Sequence, residues 1–321
     1  MHKTIIGTDV FEAKRFLEEG ELVAIPTETV YGLAANGLIQ DAILKIYAAK
    51  NRPQFNPLIL HVANLQQLQK LVLEIPAACE KLMSACSPGP ITFLLPKSDK
   101  VPDLVTAGSH LVAIRIPNHP LTLELLSNLD FPLAAPSANP SGYVSPVCAE
   151  HVMDGLNKKL PYILNGGICQ IGLESTIVGF DGNRVIIHRL GGITAEQIRD
   201  ITGNDVEVAL SHASPTAPGQ LKSHYATAKP FYLGEVEATI QKNTGKKIGV
   251  ISFYKSYEQL NPVVEILLSK QGDLNEAAAA LFSAMRDMDA ANVDLIIAER
   301  FPDEGIGMAI NDRLERAAFK P

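Results

Sequence analysis

The sequence predicts an α/β protein in two parts, a large twisted sheet with helices on its faces and a smaller α/β unit after it. Three observations support this prediction. Short apolar runs typical of strands alternate irregularly with helical stretches through the first two-thirds of the chain. A segment rich in Ser, Thr, Pro and Ala follows, and a second strand and helix pattern comes after it. At 321 residues the chain is long enough for two cores.

The strand predictions of the larger part rest on apolar runs bounded by turn residues. The runs are Leu22–Ile25, Leu58–Val62, Ile91–Leu95, Val112–Ile116, Leu133–Ala135, Tyr162–Leu164, Thr176–Phe180 and Val185–His188. Asp41 is a candidate N-cap for a helix between the first two runs, and this helix must end before Pro53. The irregular order of strands and helices favours a mixed sheet over a strict βαβ repeat.

Domain boundaries follow from the change of composition between Gly203 and Pro230. The expected parts are a first domain over 1–205, a linker over 206–230 and a small α/β domain over 231–321. In the last part, the predicted elements are strands over Lys247–Phe253 and Asp294–Ala298 and an amphipathic helix over Leu274–Met288. We therefore expect two folded units joined by a segment of low hydrophobicity.

Charge and cysteine content exclude several classes of protein. The formal net charge is −7, and both parts are net negative, so the chain lacks the Lys/Arg excess of a nucleic-acid-binding platform. Four cysteines without paired CxxC spacing predict buried free thiols rather than a zinc site or a disulfide framework. Neither a signal-peptide pattern nor an 18-residue apolar run occurs, so we expect a cytoplasmic protein with no membrane contact.

The common nucleotide-binding fingerprints are absent, so any phosphate site must be built from other segments. Several segments place polar or charged residues beside predicted strands: PTETVYGL, KNRPQFNP, PSANPSG and GLESTIV, with single cations at Arg115 and Arg189. Such strand ends are where open α/β sheets bind ligands. Lys50 and Arg52 lie two apart in a proline-stiffened stretch, which suits recognition of a polyphosphate.

Each of these segments also has an ordinary structural interpretation, which the residues alone leave open. PTETVYGL is typical of a polar turn, with Thr as a helix cap and Gly32 supplying backbone freedom. The cations of KNRPQFNP complement the negative end of a preceding helix, and PSANPSG is typical of a turn. Arg115 and Arg189 are typical of surface ion pairs. His61, on an apolar strand, is typical of a satisfied core histidine.

Taken together, six ordered segments resemble the L-threonylcarbamoyladenylate synthase family: they are PTETVYGLAAN, KNRPQFNPLILHV, SPGPITFLLP, AIRIPNHP, APSANPSG and GLESTIV. The resemblance spans about residues 10–205. The later segments APGQLKSHYA and GIGMAINDRLERAA resemble the longer, two-domain form of that family. The resemblance implies a YrdC-like catalytic domain followed by a Rossmann-like α/β domain.

The resemblance implies an ATP-dependent reaction of L-threonine with bicarbonate or carbon dioxide. The amine of threonine takes up the carbon to give a carbamate, whose carboxylate attacks the α-phosphorus of ATP while pyrophosphate leaves. The product is the precursor of threonylcarbamoyladenosine in tRNA, and a separate transferase consumes it. Mg²⁺ is expected on the phosphates, with no dedicated metal site in the protein and no organic cofactor.

The resemblance also assigns residues to the two substrates. Lys50 and Arg52 are the expected catalytic cations. The residues expected to bind ATP are Arg52, Asn56, Ser137, Asn139, Ser145, Arg189 and Tyr225. The residues expected to bind L-threonine are Thr29, His61, Arg115, Ala135 through its backbone, and Ser175. Within Ser211–Pro230, the pair His224 and Tyr225 is expected to fold over the nucleotide as a lid that excludes water.

Two other functions compete with the synthase. A carbamoyl-adenylate enzyme of hydrogenase maturation shares the first fold, but it would carry CxxC zinc fingers and an acylphosphatase-like module, and neither occurs in this sequence. An RNA-binding module without catalysis is disfavoured by the net charge of −7. The departures from the family pattern, at Val147, Asn165, Leu190, Gln220 and Thr227, leave every assigned cation and hydroxyl in place. The sequence therefore predicts the synthase.

Overall fold

The computed structural model describes residues 3–182, 184–210 and 224–319, which form two compact units. The first unit contains most of the chain before 211. The second contains the described residues from 224 onward together with two short segments, Gly142–Ser145 and Ile171–Leu173. Residues 211–223 of the expected linker lie outside the described ranges.

A mixed sheet is the centre of the first unit, and its described residues supply eleven strands. The strands are β1 (Ile5–Gly7), β2 (Val23–Ile25), β3 (Gly32–Asn36), β4 (Ile59–His61), β5 (Ile91–Pro96), β6 (Leu111–Arg115), β7 (Leu133–Ala134), β8 (Tyr162–Leu164), β9 (Thr176–Asp181), β10 (Arg184–Arg189) and β11 (Val206–Val208). Their spatial order is β1-β8-β2-β3-β7-β4-β6-β5-β9-β10-β11, with parallel and antiparallel pairs interspersed. This arrangement confirms the predicted large mixed sheet.

Helices accompany this sheet along the first unit: α1 (Val10–Glu18), α2 (Gln40–Lys50), α3 (Leu65–Gln69), α4 (Ala77–Cys86), α5 (Asp103–Thr106), α6 (Pro120–Ser127), α7 (Ala149–Leu156) and α8 (Ala195–Thr202). Helix α1 shows how the sequence produces them. Asp9 caps its start by accepting hydrogen bonds from the N–H groups of Phe11 and Glu12. Ala13 and Leu17, four positions apart, then pack into a core with strand residues of the sheet.

The prediction that Asp41 caps α2 is wrong. The helix begins at Gln40, its N-cap position is Ile39 without a side-chain hydrogen bond, and Asp41 lies in the first turn. A carboxylate there still favours the helix, because the N-terminal end of the helix dipole is positive. At the other end Asn51 adopts a left-handed conformation with φ 53°, which turns the chain towards Arg52.

Three strands of the sheet were not predicted, namely β1, β3 and β11. The turn in PTETVYGL is confined to the residues before β3, where Thr27 Oγ1 accepts hydrogen bonds from the N–H groups of Thr29 and Val30. Gly32 opens β3 without a positive φ, and a Cβ there would lie 3.2 Å from the Cβ of Ala135. Close packing therefore explains this glycine, and the predicted need for backbone freedom is wrong. Strand β11, inside the expected linker, pairs in parallel with β10.

The second unit is built on a parallel sheet, and its described strands are β12 (Phe231–Leu233), β13 (Ile248–Ser252), β14 (Val264–Leu267) and β15 (Leu295–Ala298), in the order β12-β15-β13-β14. Its helices are α9 (Val236–Lys242), α10 (Leu274–Ala290) and α11 (Gly307–Ala318). Apolar side chains of β13 and β15, including Val250 and Ile297, form its core. The predicted small Rossmann-like α/β domain is confirmed, although β12, β14, α9 and α11 were not predicted.

The four cysteines are free thiols, as predicted. Cys79 and Cys169 are buried, whereas Cys86 and Cys148 are half-buried. Burial raises the pKa of each of these thiols, so they are protonated at neutral pH. In the part of the chain that the structure describes, no helix has the length and apolar character needed to cross a membrane.

Candidate active site

The residues predicted to bind ligands are divided between the two units. All of them except Ser145 and Tyr225 lie in the first unit, on loops and strand ends of the large sheet. Most of these side chains are buried, and the buried polar or charged ones include Thr29, Lys50, Arg52, Asn56, His61, Arg115, Asn139, Ser175 and Arg189. Buried polar groups in such number are expensive unless they are paired or reserved for a ligand.

Lys50 connects the end of α2 to the loop that follows β7. Its side chain is only 1% exposed, and its ammonium donates hydrogen bonds to the carbonyl oxygens of Ser137 and Asn139. Its own carbonyl accepts a hydrogen bond of 2.8 Å from the N–H of Ser141. Burial, with the positive charge of Arg52 nearby, lowers the pKa of Lys50. The lysine therefore fixes the shape of the loop that carries the predicted ATP residues Ser137 and Asn139.

Arg52 and Asn56 form a polar turn between α2 and β4. The Arg52 guanidinium donates to the carbonyl oxygens of Asn56 at 3.2 Å and Pro57 at 2.8 Å. Burial and the nearby charge of Arg189 lower the pKa of Arg52 to about 10. The side-chain amide of Asn56 is 1% exposed, and neither its nitrogen nor its oxygen finds a hydrogen-bond partner among the described residues. An amide left in this state costs about 1–3 kcal/mol, which a polar ligand would recover.

Arg189, the last residue of β10, lies against the chain that enters β9. Its guanidinium donates to the carbonyl oxygen of Ser175 at 3.0 and 2.8 Å and to the Ser175 hydroxyl at 3.0 Å. That hydroxyl shares a further hydrogen bond of 2.7 Å with Thr92 on β5. Gly191 permits this approach, because a Cβ there would lie 2.3 Å from the carbonyl oxygen of Glu174.

Arg115, at the end of β6, is the centre of a buried ion pair. One guanidinium nitrogen lies 2.7 Å from a carboxylate oxygen of Glu28, and a second donates to the hydroxyl of Thr29 at 2.8 Å. The third donates to the carbonyl oxygen of Gly89 at 3.2 Å, and Glu28 also accepts from the N–H of Asn118 at 3.0 Å. The interpretation of Arg115 as a surface ion pair is wrong, since both charged side chains are almost fully buried.

His61 lies beside Arg115, because β4 and β6 are parallel and pair these two residues in register. Its Nδ1 lies 3.3 Å from the carbonyl oxygen of Ile59, which also accepts a hydrogen bond from the N–H of Ala135 at 3.0 Å. Burial and the positive charge of Arg115 lower the pKa of His61 to about 3. The imidazole is therefore neutral at pH 7, with one ring nitrogen able to accept a hydrogen bond.

Sheet topology brings these residues into two groups within the first unit. Strand β5 is antiparallel to β6 and parallel to β9. The first residues of β5 and β9 therefore lie beside the last residues of β6, at the same end of the sheet. The Ser175 hydroxyl thus joins Arg115, Thr29 and His61 in a group that suits an amino acid. The second group holds the cations Lys50, Arg52 and Arg189, which suit phosphates, and Arg189 contacts both groups through Ser175.

Ser145 and Tyr225 belong to the second unit. The carbonyl oxygen of Ser145 accepts a hydrogen bond of 3.4 Å from Arg286 on α10. The Tyr225 ring stacks on Phe282 with 5.3 Å between centroids, and the guanidinium of Arg313 lies 5.5 Å from its centroid. The predicted contact of Tyr225 with ATP stays a prediction.

Sequence reasoning did not assign Glu28 or Thr92 to the site. Glu28 stands between two threonines of PTETVYGL, and a carboxylate beside a predicted ligand loop is a usable signal for a partner to a distant arginine. Thr92 is a lone hydroxyl in an apolar strand, and its role depends on β9 lying beside β5, which no local pattern reveals. Both residues orient groups assigned to the amino acid.

The fold, a large mixed sheet followed by a parallel α/β unit, defines an α/β protein of the YrdC-like class. A family model described as telomere recombination matches residues 15–191, and one described as threonylcarbamoyl-AMP synthase, C-terminal domain, matches residues 193–319. The chain belongs to the threonylcarbamoyl-AMP synthase family, whose nucleotidyltransferase reaction makes threonylcarbamoyl-AMP in the first step of threonylcarbamoyladenosine formation in tRNA.

The similarity to relatives and to a solved structure covers nearly the whole chain. The threonylcarbamoyl-AMP synthase of Bacillus subtilis is 41% identical over 320 residues, covering 96% of this chain and 92% of its own. The enzyme of that name from Pyrococcus abyssi is 39% identical and covers 95% of this chain and 93% of its own. The crystal structure of P. abyssi Sua5 complexed with L-threonine matches with a TM-score of 0.90 and 37% identity, covering 99% of this chain and 97% of that one. The predicted family and its two-domain form are confirmed.

Proposed function

We propose that the carbon of the carbamoyl group comes from bicarbonate, or from the carbon dioxide in equilibrium with it. The threonine nitrogen forms a bond to this carbon and loses a proton. When carbon dioxide is the donor, a C=O π bond opens to give the carbamate oxygen, and when bicarbonate is the donor, its C–OH bond breaks and the hydroxide leaves with that proton as water. An oxygen of the resulting carbamate then bonds to the α-phosphorus of ATP, while the bond from that phosphorus to the pyrophosphate oxygen breaks. Such a transfer needs in-line positioning and neutralised charge rather than an enzymic nucleophile.

The observation that supports this proposal most strongly is the buried group of Lys50, Arg52 and Arg189. The hydrogen bonds described for Lys50 and Arg52 go to backbone carbonyls, and no carboxylate among the described residues forms an ion pair with either. Buried cations without an anionic partner are costly. A triphosphate supplies the missing negative charge, and the unpartnered amide of Asn56 supplies a polar contact beside it.

On the amino-acid side, we assign L-threonine to the group around Arg115. The Arg115 guanidinium, held in orientation by Glu28, binds the threonine carboxylate. Thr29 and Ser175 offer hydroxyls to the threonine side chain, and Ala135 contributes its backbone. His61, neutral at pH 7, accepts a hydrogen bond from the substrate amine as it loses its proton. The complex of P. abyssi Sua5 with L-threonine supports L-threonine as a substrate.

On the nucleotide side, the assigned residues are Arg52, Asn56, Ser137, Asn139, Ser145, Arg189 and Tyr225, with Lys50 holding the loop of Ser137 and Asn139 in place. Arg52 and Arg189 neutralise charge that moves onto the leaving pyrophosphate. Lys50 lies near Arg52 in this group, and bound phosphates would favour its charged form. The chain's own contribution to the chemical step is therefore orientation and charge.

Mg²⁺ is proposed to arrive on the phosphates of ATP. The described residues contain no group of three His, Cys, Asp or Glu side chains that could hold a metal ion, and Glu28 is engaged by Arg115. We propose that phosphate oxygens and water hold this cation, which is how Mg²⁺ usually accompanies nucleotides. When bound, the cation would neutralise phosphate charge. Lys50, Arg52 and Arg189 do so from the protein side.

Three further expectations concern the protein's surroundings. The product is a mixed anhydride, so a separate transferase must carry the threonylcarbamoyl group to tRNA. The cytoplasmic location stays a prediction. The lid role expected for 206–230 also stays a prediction, because residues 211–223 lie outside the described ranges.

The proposal is tested by identifying the product. The protein is incubated with ATP, Mg²⁺, L-threonine and ¹³C-labelled bicarbonate, and the mixture is resolved by liquid chromatography with mass detection. The expected product is threonylcarbamoyl-AMP carrying one ¹³C atom, and it is absent when threonine is omitted. Formation of AMP or ADP alone, independent of threonine, would contradict the proposal.

A further inference from the structure

The Gly142–Ser145 segment leads to Ser145, which the proposed function assigns to ATP, and it folds with the second unit. The carbonyl oxygen of Gly142 accepts a hydrogen bond of 2.8 Å from the N–H of Ala226. Tyr143 forms a parallel bridge with Ala226, and its hydroxyl lies 2.9 Å from a carboxylate oxygen of Asp289 on α10. The segment is thus held from two sides inside that unit.

Arg286, one turn before Asp289 on α10, makes the central contact. Its guanidinium donates to the carbonyl oxygen of Val144 at 2.5 Å and to that of Ser145 at 3.4 Å. The same group lies 4.8 Å from the ring centroid of Tyr143, in the range of a cation–π contact. The arginine is 7% exposed, so these contacts are made in a desolvated setting where each is worth more than on the surface.

A second segment, Ile171–Leu173, packs on the same helix. Gly172 has φ +72°, and a Cβ there would lie 2.6 Å from the carbonyl oxygen of Ala278 and 2.6 Å from the Cα of Ala279. No side chain fits this gap, which explains the glycine at the start of GLESTIV. Helix α10 therefore contacts two segments of the second unit, and each leads along the chain to a residue assigned to a substrate, Ser145 and Ser175.

We propose that Arg286 is a positioning residue for the synthase reaction. By bonding two successive carbonyl oxygens, it fixes the peptide planes on either side of Ser145 and so sets the direction from which Ser145 meets ATP. The planar fork of arginine suits this task, and the single ammonium of lysine cannot reproduce it. This inference rests on the proposed function, which assigns Ser145 to ATP.

The test compares Arg286→Lys with the wild type in steady-state pyrophosphate release, with ATP and L-threonine varied in turn. The expected result is a KM for ATP raised about tenfold, the scale of one hydrogen bond to a charged group, with the KM for threonine changed by less than about twofold. Arg300→Lys is the matched control, because Arg300 forms an exposed ion pair in the same unit and should leave both constants unchanged.

A double-mutant cycle asks whether Arg286 acts through Ser145. Ser145→Ala should raise the KM for ATP, and adding Arg286→Lys should raise it by less than about twofold more. Additive effects, or equal rises in the KM for ATP and for threonine, would overturn the inference while leaving the proposed function intact. A normal KM for ATP in Ser145→Ala would overturn both the inference and the assignment of Ser145. Absence of threonine-dependent pyrophosphate release in the wild type would instead overturn the proposed function.

A milder variant covers the case in which Arg286→Lys does not fold. Tyr143→Phe removes only the hydrogen bond of the Tyr143 hydroxyl to Asp289 and keeps the ring under Arg286. We expect a rise of about two- to threefold in the KM for ATP alone, because one neutral hydrogen bond is worth about 0.5–1.5 kcal/mol. A folded Tyr143→Phe with wild-type KM values for both substrates would overturn the positioning role of this contact set.

Discussion

Arg52 is buried without a carboxylate partner among the described residues: its hydrogen bonds go to carbonyl oxygens, and its charge is opposed by that of Arg189. Removing it should therefore cost transition-state stabilisation rather than folding. We expect Arg52→Ala to lower turnover at least ~10²-fold, the scale for loss of one electrostatic stabiliser, with little change in melting temperature.

The measurement is pyrophosphate release beside a thermal melt of the same preparation. Arg184→Ala provides the control, because Arg184 lies on β10 with Arg189 but is exposed and forms only surface ion pairs. It should turn over at the wild-type rate. A well-folded Arg52→Ala variant with near-normal turnover would contradict the assignment of Arg52 to the phosphates.

His61 makes a prediction about pH and stability. Its folded pKa of about 3 lies below the value of about 6.5 expected in the unfolded chain, so between these values the unfolded state binds more protons. The free energy of unfolding should then fall as pH falls from about 6.5 towards about 3, by up to about 1.4 kcal/mol per pH unit for this one proton.

Urea unfolding of the wild type and of His61→Gln at about pH 7.5 and about pH 5 measures this contribution. The change in the free energy of unfolding between the two pH values is compared for the two proteins, because the difference isolates His61 from the other titrating groups. The wild type should lose more stability than the variant on acidification. Equal losses would show that His61 is not held neutral by burial.

Individual candidate residues could be named from the sequence, but the residues with which they interact could not. The cations and hydroxyls of the site stand in ordered segments, so Lys50 and Arg115 could be named in advance. The ion pair of Arg115 with Glu28 could not, because the two residues lie far apart in sequence and meet only when β2 and β6 are placed in the sheet.

At the scale of elements, the hydroxyls assigned to the amino acid lie on or beside strands of the large sheet. Ser175 precedes β9, Thr92 lies on β5, and Thr29 follows β2, so three separate elements present hydroxyls. In the proposed site these groups hydrogen-bond the threonine hydroxyl, so valine, which has the same shape without that hydroxyl, would leave buried donors unpaired. We expect kcat/KM for valine to be at least ~10²-fold below that for threonine.

Serine should be the better substitute, because it keeps the hydroxyl and loses only a methyl contact of about 1 kcal/mol. The measurement is pyrophosphate release with each amino acid, in wild type and in Ser175→Ala. The variant should narrow the preference for threonine over valine. Comparable rates with valine and threonine in the wild type would refute a polar pocket.

In the first unit, element prediction succeeded for clear apolar runs, including the short strands β7 and β8, and failed for β1, β3 and β11. Strands β5 and β9 were placed within a residue or two, because each has several apolar positions in succession. Strand β1 has three residues and pairs with β8 far along the chain, so its local pattern is too brief to identify it. Strand β3 was missed because its small residues Gly32–Asn36 follow a turn motif directly.

For the whole molecule, the net charge of −7 makes a prediction about nucleic acid. We expect tRNA to bind weakly and with a shallow dependence on salt, because few phosphates are neutralised and few counterions are released. Filter binding over a range of salt concentrations measures the slope of log K against log salt. A steep negative slope with tight binding would favour the RNA-binding alternative.

Domain organisation was only partly accessible from the sequence. Composition predicted a linker over 206–230, a boundary that stays a prediction, and gave no sign that Gly142–Ser145 and Ile171–Leu173 fold with the second unit. Those segments belong there because of Arg286 and of the gap at Gly172, which are long-range contacts without a local signature. Both segments are only a few residues long, so their contacts with α10 could not be predicted from the sequence.

We propose that this chain forms a carbamate from threonine and bicarbonate and transfers the adenylyl group of ATP to it. The most direct test is pyrophosphate release by the wild-type protein in matched reactions, each lacking one reactant. We expect one pyrophosphate for each threonylcarbamoyl-AMP formed, and release near background when either threonine or bicarbonate is withheld. Pyrophosphate release that continues unchanged without threonine would contradict the proposal.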